Sequence, residues 1–299
     1  MRRPLIALAL LVLSAPLPAK EIHRQSSLYQ NILVVESFGM RCMQFSVRTD
    51  QRNQSCIELR HAGRLALTYT RMMLAGLLLD PAPRHILMVG LGGGSIPTAL
   101  AALYPDASID IVEIDPAVVE VARDYFGFES TPRMRIFVQD ARVWGKRAAL
   151  RDRHYDLILL DAFNGDYIPE HLMTREYLRE TRALLNEGGV LVSNTFAISA
   201  LYHNESATYA DVFGTFFNFK SPDSANRIVV ARRGVLPDRA SLEAAARSLD
   251  TTLAPFGVPI RRYPARLDTR VDWNRDARVL TDQYSPANLL RGADYARGQ

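Results

Sequence analysis

The chain has two regions with different patterns of apolar and polar residues. From residue 29 to about residue 67, short β-rich runs such as NILVVES and SCIELR are separated by polar turns, without a long helical period. This pattern is typical of an antiparallel sheet. The next stretch, TYTRMMLAGLLLD, has apolar residues at helical spacing and ends before Pro81 and Pro83. It predicts a helix that leads into the rest of the chain.

From His85 onward, apolar runs alternate with segments of helical periodicity. The expected strands are HILMVGL, SIDIVEID, MRIFVQD, YDLILLDAF and GGVLVSNTF, with GTFFNFK and NRIVVARR as closing strands. Such alternation predicts right-handed βαβ units and a mostly parallel sheet that binds its ligand at the carboxyl ends of the strands. We therefore expect an α/β protein: a small antiparallel β-domain with its connecting helix (residues 20–80), then a Rossmann-like domain with a mostly parallel sheet (residues 81–299).

The amino terminus has the layout of a secretory signal peptide over residues 1–19. Two arginines precede an apolar run from Leu5 to Leu13, and small and proline residues follow up to Ala19. The run is too short to cross a bilayer, which takes about 20 apolar residues. Because Leu17 is not a small residue, an uncleaved anchor or a misassigned start remains an alternative. We expect a periplasmic or secreted protein, or a cytoplasmic one if this segment is not a working signal peptide.

The two cysteines of the chain, Cys42 and Cys56, lie on either side of a polar turn. A hairpin centred on Thr49 places them opposite each other, and in an oxidising compartment such a pair can close a cross-strand disulfide. The alternative is two unrelated buried thiols. The disulfide and the signal peptide support each other, since both indicate an exported protein.

Composition and charge describe an ordinary globular protein. Of the 299 residues, 48% are hydrophobic and 23% are charged. The net charge of +4 is small, and the lysines and arginines are scattered rather than clustered with aromatic residues. This argues against a nucleic-acid surface. We interpret the arginine-rich stretch 261–278 as a solvated surface.

A glycine cluster, GLGGGS, follows the first strand of the Rossmann-like region. Gly90, Gly92, Gly93 and Gly94 at a strand-to-helix turn let a nucleotide approach the backbone. Nicotinamide, flavin and adenosyl cofactors all use such a turn, so the glycines alone do not identify the ligand. Ser95 takes the last position of a G-x-G-x-x-G pattern, which departs from the dinucleotide fingerprint.

Three acidic residues stand where consecutive strands end, and they discriminate between cofactors better. Glu113 follows Gly90 by 23 residues, where a carboxylate accepts ribose hydroxyls. Asp140 closes the next strand, where an acid can accept from the exocyclic amine of adenine, a feature of adenosyl-sulfonium binders. Asp161 ends the fourth strand and can deprotonate or orient an amine nucleophile, with Asp166 in the same loop. The alternative is that these acids only cap helices or form turns.

The stretch from residue 29 to residue 196 resembles the spermidine synthase family of aminopropyltransferases. The similarity rests on YQNILVVES, VGLGGGS, VEIDP, QDAR and YDLILLDAF. DAFNGDYIPEHLMTREYL, NEGGVLVSN and VLTDQYSP are closer still to spermidine-synthase-like proteins that, in other members, are fused to membrane-spanning segments. The resemblance implies a Rossmann-like, methyltransferase-type core that binds decarboxylated S-adenosylmethionine or S-adenosylmethionine, uses no metal and acts on a small-molecule amine. It leaves a homodimer open.

Carried over by position, the resemblance also implies site residues. Those that would bind the sulfonium nucleoside are Gln30, Gly90, Gly92, Gly93, Gly94, Ser95, Glu113, Ile114, Asp140 and Ala141. Asp161 would be the catalytic base, with Asp166 in the same loop. The acceptor amine would meet Tyr69, Arg71 and Asn164.

Three positions depart from the family pattern. Ser95, Asn164 and Arg71 stand where spermidine synthases have Asp, Asp and Glu. A diamine carries two positive charges, and an unpaired charge in a semi-enclosed pocket is costly, so these exchanges argue against putrescine as the acceptor. Two alternatives remain: a methyltransferase that uses S-adenosylmethionine itself, which Ser95 would accommodate, and a non-catalytic exported protein that binds a nucleoside.

Overall fold

Two β-sheets organise the part of the chain that the computed structural model describes, namely residues 19–46, 52–61, 63–163 and 167–286. All but the last residue of the predicted signal peptide lies outside these ranges, as do Asn164 and Asp166. Over the described ranges, no helix combines the length and the apolar character that a membrane crossing requires.

The amino-terminal sheet is antiparallel, as the sequence pattern predicts. Its strands, in chain order and in spatial order, are β1 (Lys20–Ser26), β2 (Asn31–Ser37), β3 (Met40–Ser46) and β4 (Arg52–Glu58). Ile32, Val34 and Met43 are fully buried and join the main hydrophobic core. The pattern did not predict β1, because its sequence KEIHRQS is mainly polar, as is common in an exposed edge strand.

Cys42 on β3 lies directly opposite Cys56 on β4, and the two residues form a disulfide. Both are buried. The cross-strand disulfide is therefore confirmed, and the alternative of two unrelated thiols is wrong. The turn around Thr49 lies outside the described residues.

The main sheet has eight strands in the order β12-β10-β11-β9-β8-β5-β6-β7. Their bounds are β5 (His85–Val89), β6 (Ser108–Glu113), β7 (Met134–Val138), β8 (Tyr155–Leu160), β9 (Leu185–Phe196), β10 (Phe217–Lys220), β11 (Asn226–Arg232) and β12 (Leu267–Asp268). The strands from β9 to β7 run parallel, and β10, β11 and β12 pair antiparallel. The chain leaves β5 toward β6 and β7, then returns to β8 and β9. The strand order thus reverses between β5 and β8, where open α/β sheets bind their ligands.

Helices cover both faces of this sheet. They are α1 (Thr68–Met73), α2 (Ser95–Leu103), α3 (Pro116–Phe126), α4 (Ala141–Ala149), α5 (Arg175–Ala183), α6 (Tyr202–Phe213) and α7 (Arg239–Leu253). The side chains of β5 point alternately to the two faces of the sheet. Ile86 and Met88 pack in one core layer, and Leu87 and Val89 pack in the other. The mostly parallel α/β fold with a small antiparallel sheet is confirmed.

The predicted connecting helix is α1, continued by a 3₁₀ turn over Leu74–Leu78. It packs on the main sheet: a Cβ added at Gly76 would collide with Val192 on β9 and approach Leu157 on β8. The helix thus belongs structurally to the wall of the larger domain. The domain boundary at residue 80 stays a prediction.

Two later features differ from the sequence pattern. Helices α6 and α7 were not predicted. The arginine-rich stretch 261–278 keeps its arginines exposed, but it also contains β12 and buries Tyr263 and Leu267. Apolar side chains between the arginines anchor this stretch to the core.

Candidate active site

A cavity of about 240 Å³ opens at the carboxyl ends of β5, β6, β7 and β8. The amino-terminal sheet closes its other side through Phe45, Gln54 and Ser55. The predicted site residues that line it are Gln30, Tyr69, Gly90, Gly92, Ser95, Glu113, Ile114, Asp140, Ala141 and Asp161. Gly93, Gly94 and Arg71 do not line the cavity, and Asn164 and Asp166 lie outside the described residues.

The backbone conformation and the close packing of this turn require glycine at two positions. Gly90 has a φ of +92°, and a Cβ there would meet the backbone carbonyl of Asp161, where β5 and β8 end side by side. Gly94 has a φ of +76°, and a Cβ there would collide with the ring of Phe128. L-residues rarely adopt such positive φ values. The turn therefore brings backbone to the cavity wall and starts α2 at Ser95.

Glu113, at the end of β6, is held by the main chain. Its Oε2 accepts from the Leu91 N–H at 2.9 Å and its Oε1 from the Asp115 N–H at 3.0 Å. Burial raises the pKa of Glu113, while these backbone hydrogen bonds act in the opposite direction. The Ile114 N–H also bonds to this carboxyl group, which is thus fixed in orientation and keeps acceptor capacity for a further donor.

The loop between β1 and β2 places Gln30 at the wall of the same cavity. The Ser27 N–H donates to the Gln30 carbonyl at 2.9 Å, and the Ser27 hydroxyl donates to Asp115 Oδ2 at 2.5 Å. Asp115 also caps α3 through the Ala117 N–H. The loop between β1 and β2 is therefore fastened directly to the end of β6.

Asp140 caps α4 and lines the cavity at once. Its Oδ1 accepts from the Val143 N–H at 2.9 Å. Its Oδ2 lies 2.8 Å from Nε2 of His171, which also lines the cavity. Asp140 therefore caps a helix, as the alternative states, and it also lines the cavity. Sequence reasoning missed His171, because a single histidine after a loop carries no motif.

Asp161 follows β8, with its N–H donating to the Val89 carbonyl at 2.8 Å. Its Oδ1 accepts from Asn194 Nδ2 at 2.8 Å, and the Tyr69 hydroxyl also bonds to the carboxyl group. Burial raises the pKa of Asp161 to about 7; the bonds from Asn194 and Tyr69 lower it, and the nearby Glu113 raises it. An acid with a pKa near the working pH is suited to general base catalysis.

Tyr69 and Arg71 leave α1 in different directions. The Tyr69 hydroxyl lies 2.8 Å from the Gln54 carbonyl as well as near Asp161, and burial raises its pKa well above the usual range. The Arg71 guanidinium turns back to the start of its own helix and donates to the carbonyls of Leu65 and Ala66. The structure therefore brings Tyr69 into the site and leaves Arg71 off the cavity wall.

Asn194 is a second site residue that sequence reasoning missed. It lies on β9, is 3% exposed, and its Oδ1 accepts from Asn226 Nδ2 at 2.9 Å. The sequence shows Asn194 only as the end of an apolar strand. Its contact with Asp161 depends on the pairing of β8 with β9, which no local pattern reveals.

The charged groups of the cavity are mostly acidic. Glu113, Asp140 and Asp161 line it, and neither lysine nor arginine does so among the described residues. No group of three or more His, Cys, Asp or Glu side chains in the described ranges is arranged to hold a metal ion. This wall favours a ligand with positive charge.

The parallel sheet with its glycine turn, with Glu113 at the end of β6 and Asp140 after β7, is a Rossmann-like fold of the methyltransferase type. A family model described as the spermine/spermidine synthase domain matches residues 67–224, more than half of the chain. The chain therefore belongs to the spermine/spermidine synthase family. It is an enzyme, an aminopropyltransferase-like transferase.

One relative supports this assignment, and two solved structures show the same type of fold. A polyamine aminopropyltransferase from Vibrio vulnificus is 51% identical over 272 residues, 90% of this chain and 91% of the relative. A probable spermidine synthase from Corynebacterium glutamicum has a similar fold, with a TM-score of 0.63 at 21% identity over 86% of this chain and 98% of that one. Human methyltransferase-like protein 13 in complex with SAH gives a TM-score of 0.59 at 26% identity over 63% of this chain and 93% of the human chain.

Proposed function

We propose that this enzyme transfers an aminopropyl group from decarboxylated S-adenosylmethionine to a small-molecule amine. The observation that carries the proposal is the Asp161 carboxyl group, which lines the same cavity as Glu113, accepts a hydrogen bond from Asn194 and has a pKa of about 7. The Vibrio vulnificus relative is named as a polyamine aminopropyltransferase, which supports this type of reaction.

The cavity wall fits an adenosyl sulfonium. Glu113 has free lone pairs for the ribose hydroxyls, and Ile114, 38% exposed, offers an apolar surface to adenine beside Asp140. The Ser95 hydroxyl is buried without a partner among the described residues, which indicates that a ligand completes its hydrogen bonding. The SAH complex of the human relative supports a nucleoside of this class.

When bound, decarboxylated S-adenosylmethionine supplies a carbon next to a sulfonium, which an amine can attack as a neutral thioether leaves. Asp161 takes the proton that the attacking amine gives up. Asn194 and Tyr69 hold the carboxyl group from the side of the protein, so that its remaining lone pairs face the cavity. The acidic wall favours the positive charges of the substrates.

The acceptor is a small-molecule amine, and we expect putrescine to be a poor one. The neutral Ser95 takes a position at which the family has a carboxylate. The Arg71 guanidinium contributes less than the sequence indicates, because it bonds to carbonyls at the start of α1. The expectation for putrescine therefore rests mainly on Ser95 and on Asn164.

We also propose that the protein is exported. The signal-peptide layout of residues 1–19 and the Cys42–Cys56 disulfide support this location together. Mass spectrometry of protein recovered from the native host tests it. A mature chain that starts near Lys20 with oxidised cysteines is expected, whereas free thiols on an intact amino terminus would contradict export.

The proposed reaction is tested in two steps. Calorimetry with methylthioadenosine, S-adenosylmethionine and its decarboxylated form measures which nucleoside binds. Mass spectrometry then follows transfer to a panel of mono- and diamines. Binding of decarboxylated S-adenosylmethionine with aminopropyl transfer is expected. Methyl transfer from S-adenosylmethionine would favour the methyltransferase alternative, and absence of binding to any of the three would favour the non-catalytic one.

A further inference from the structure

A chain of side-chain hydrogen bonds runs from the surface of the main sheet to Asp161. The Ser224 hydroxyl donates to Asn226 Oδ1 at 3.1 Å, and Asn226 Nδ2 donates to Asn194 Oδ1 at 2.9 Å. Asn194 Nδ2 then donates to Asp161 Oδ1 at 2.8 Å. Every member of this chain donates toward Asp161.

The sheet register sets up this chain. Asn194 on β9 pairs with Ile228 on the antiparallel strand β11, and Asn226 lies two residues before Ile228, at the start of β11. Diagonal neighbours of this kind share one face of a sheet and reach each other through their side chains. The intervening Arg227 points to the opposite face, where it pairs with Glu205 at 3.0 Å. The Asn226 amide therefore meets Asn194 without a charged neighbour between them.

The direction of the bonds matters because an amide has two different ends. If the Asn194 amide were turned over, its carbonyl oxygen would face a carboxylate oxygen of Asp161, and its N–H would face the N–H of Asn226. Both contacts would be repulsive, and a buried amide without its partners is costly. The bond from Asn226 therefore selects the orientation in which Asn194 donates to Asp161.

We propose that Asn226 is a positioning residue for the reaction: it orients the Asn194 amide so that an N–H stabilises the ionised, base-competent form of Asp161. The inference rests on the proposed function for the role of Asp161 in turnover, whereas the effect on its ionisation does not. The other titratable groups that act on Asp161 are Tyr69 on α1 and Glu113 at the end of β6. Neither contacts Asn226 by a hydrogen bond in the structure.

The test reverses the direction of the hydrogen bond between residue 226 and Asn194. In Asn226→Asp the new carboxylate accepts from the Asn194 amide and draws its N–H away from Asp161. We expect the proton affinity of Asp161 to rise about tenfold or more, from loss of the bond and from the added charge. Asn226→Ala adds no charge and frees the amide, and we expect a rise of about threefold. Carboxyl NMR titration measures both, with the Asp161 resonance assigned by its loss in Asp161→Asn.

A matched control separates this effect from general damage to the sheet. Asn218 on β10 is another buried asparagine, 3% exposed, which donates to Tyr202 and Asp272 and is not part of the hydrogen-bond chain that leads to Asp161. Asn218→Asp should leave the titration of Asp161 unchanged. If Asn226→Asp does not fold, Asn226→Ala and Asn226→Ser carry the test, with circular dichroism as the check on folding.

Turnover gives the second readout. The acidic limb of the kcat/KM profile, which reports the free enzyme, should move to higher pH by the same shift as the Asp161 pKa measured by NMR, with the affinity for methylthioadenosine unchanged. An unchanged Asp161 titration in the folded Asn226 variants would overturn the inference. A shifted titration in an enzyme that transfers no aminopropyl group would instead contradict the proposed function and leave the orienting role of Asn226 established.

Discussion

The two halves of the cavity are built by different means. In the half that we propose binds the nucleoside (the nucleoside half), which comprises Gly90, Glu113, Ile114 and Asp140, backbone N–H groups hold the acids. They are those of Leu91 and Asp115 for Glu113, and that of Val143 for Asp140. In the acceptor half, the Asp161 carboxyl group is held by side chains from α1 and β9. Backbone turns give one half a fixed geometry, and side chains from distant elements give the other half a geometry that substitutions can change.

The largest effect is expected for Asp161→Asn, which tests the acceptor half alone. An amide cannot take the proton of the attacking amine, and general base catalysis contributes typically 10²–10⁴-fold. We expect kcat to fall by about that factor, while calorimetry shows an unchanged affinity for methylthioadenosine. If the variant lost nucleoside binding as well, the two halves would not be separate.

Glu113→Ala is the corresponding change in the nucleoside half. It removes the predicted ribose acceptor and leaves the N–H groups of Leu91 and Asp115 without their partner. Hydrogen bonds to charged groups contribute about 1.5–3 kcal/mol each, so we expect nucleoside affinity to fall by about a hundredfold. Glu113→Gln is the control: it keeps one carbonyl acceptor and should lose less. Calorimetry measures both variants.

The contrast also explains what the sequence could predict. The glycine turn, Glu113 and Asp140 follow from local spacing, because each is placed by the strand that precedes it. Asn194 and His171 could not be found in this way: the first reaches Asp161 only through the β8–β9 pairing, and the second reaches Asp140 across a loop. Arg71 is a different case: its position predicts a substrate contact, which stays a prediction, while its side chain turns to the start of α1.

The fold shows the same division. The alternating strands and helices from β5 to β9 were predictable, because apolar runs alternate with segments of helical period, and side chains cap α3, α4 and α5. The polar edge strand β1 was not, because tertiary pairing with β2 outweighs its weak local preference. Helix α7 was not predicted, although its apolar residues recur with a helical period. Its buried side consists of Leu242, Ala246, Leu249 and Leu253.

Ser95→Asp tests the boundary between the two halves of the cavity. Spermidine synthases resemble this chain but have Asp at this position for the aminopropyl amine. The Ser95 hydroxyl is neutral and has no partner among the described residues. One charge-assisted bond contributes about 1.5–3 kcal/mol, so we expect the variant to bind decarboxylated S-adenosylmethionine at least about tenfold more tightly. Affinity for S-adenosylmethionine, measured in parallel, should not increase.

Asp161 should also link stability to pH. Its pKa is about 7 in the folded protein, above the value of 3.8 for an unperturbed group, so ionisation is harder in the folded state than in the unfolded one. The folded state therefore loses relative stability as the pH rises from about 4 through 7. Asp161→Asn lacks this loss. We expect its melting temperature to exceed that of the unmodified enzyme by a few degrees at pH 8 and to match it near pH 4, as differential scanning calorimetry can measure.

The smallest effect is expected for His171→Ala, although His171 contacts a predicted adenine-binding residue. The His171 side chain is 45% exposed and that of Asp140 is 27% exposed, and exposed ion pairs contribute about 0–1 kcal/mol. Asp140 also keeps its bond from the Val143 N–H, so its orientation does not depend on the imidazole. We therefore expect calorimetry to show a change in methylthioadenosine affinity of less than about fivefold. A loss comparable to that of Glu113→Ala would mean that side chains, and not backbone turns, hold the nucleoside half.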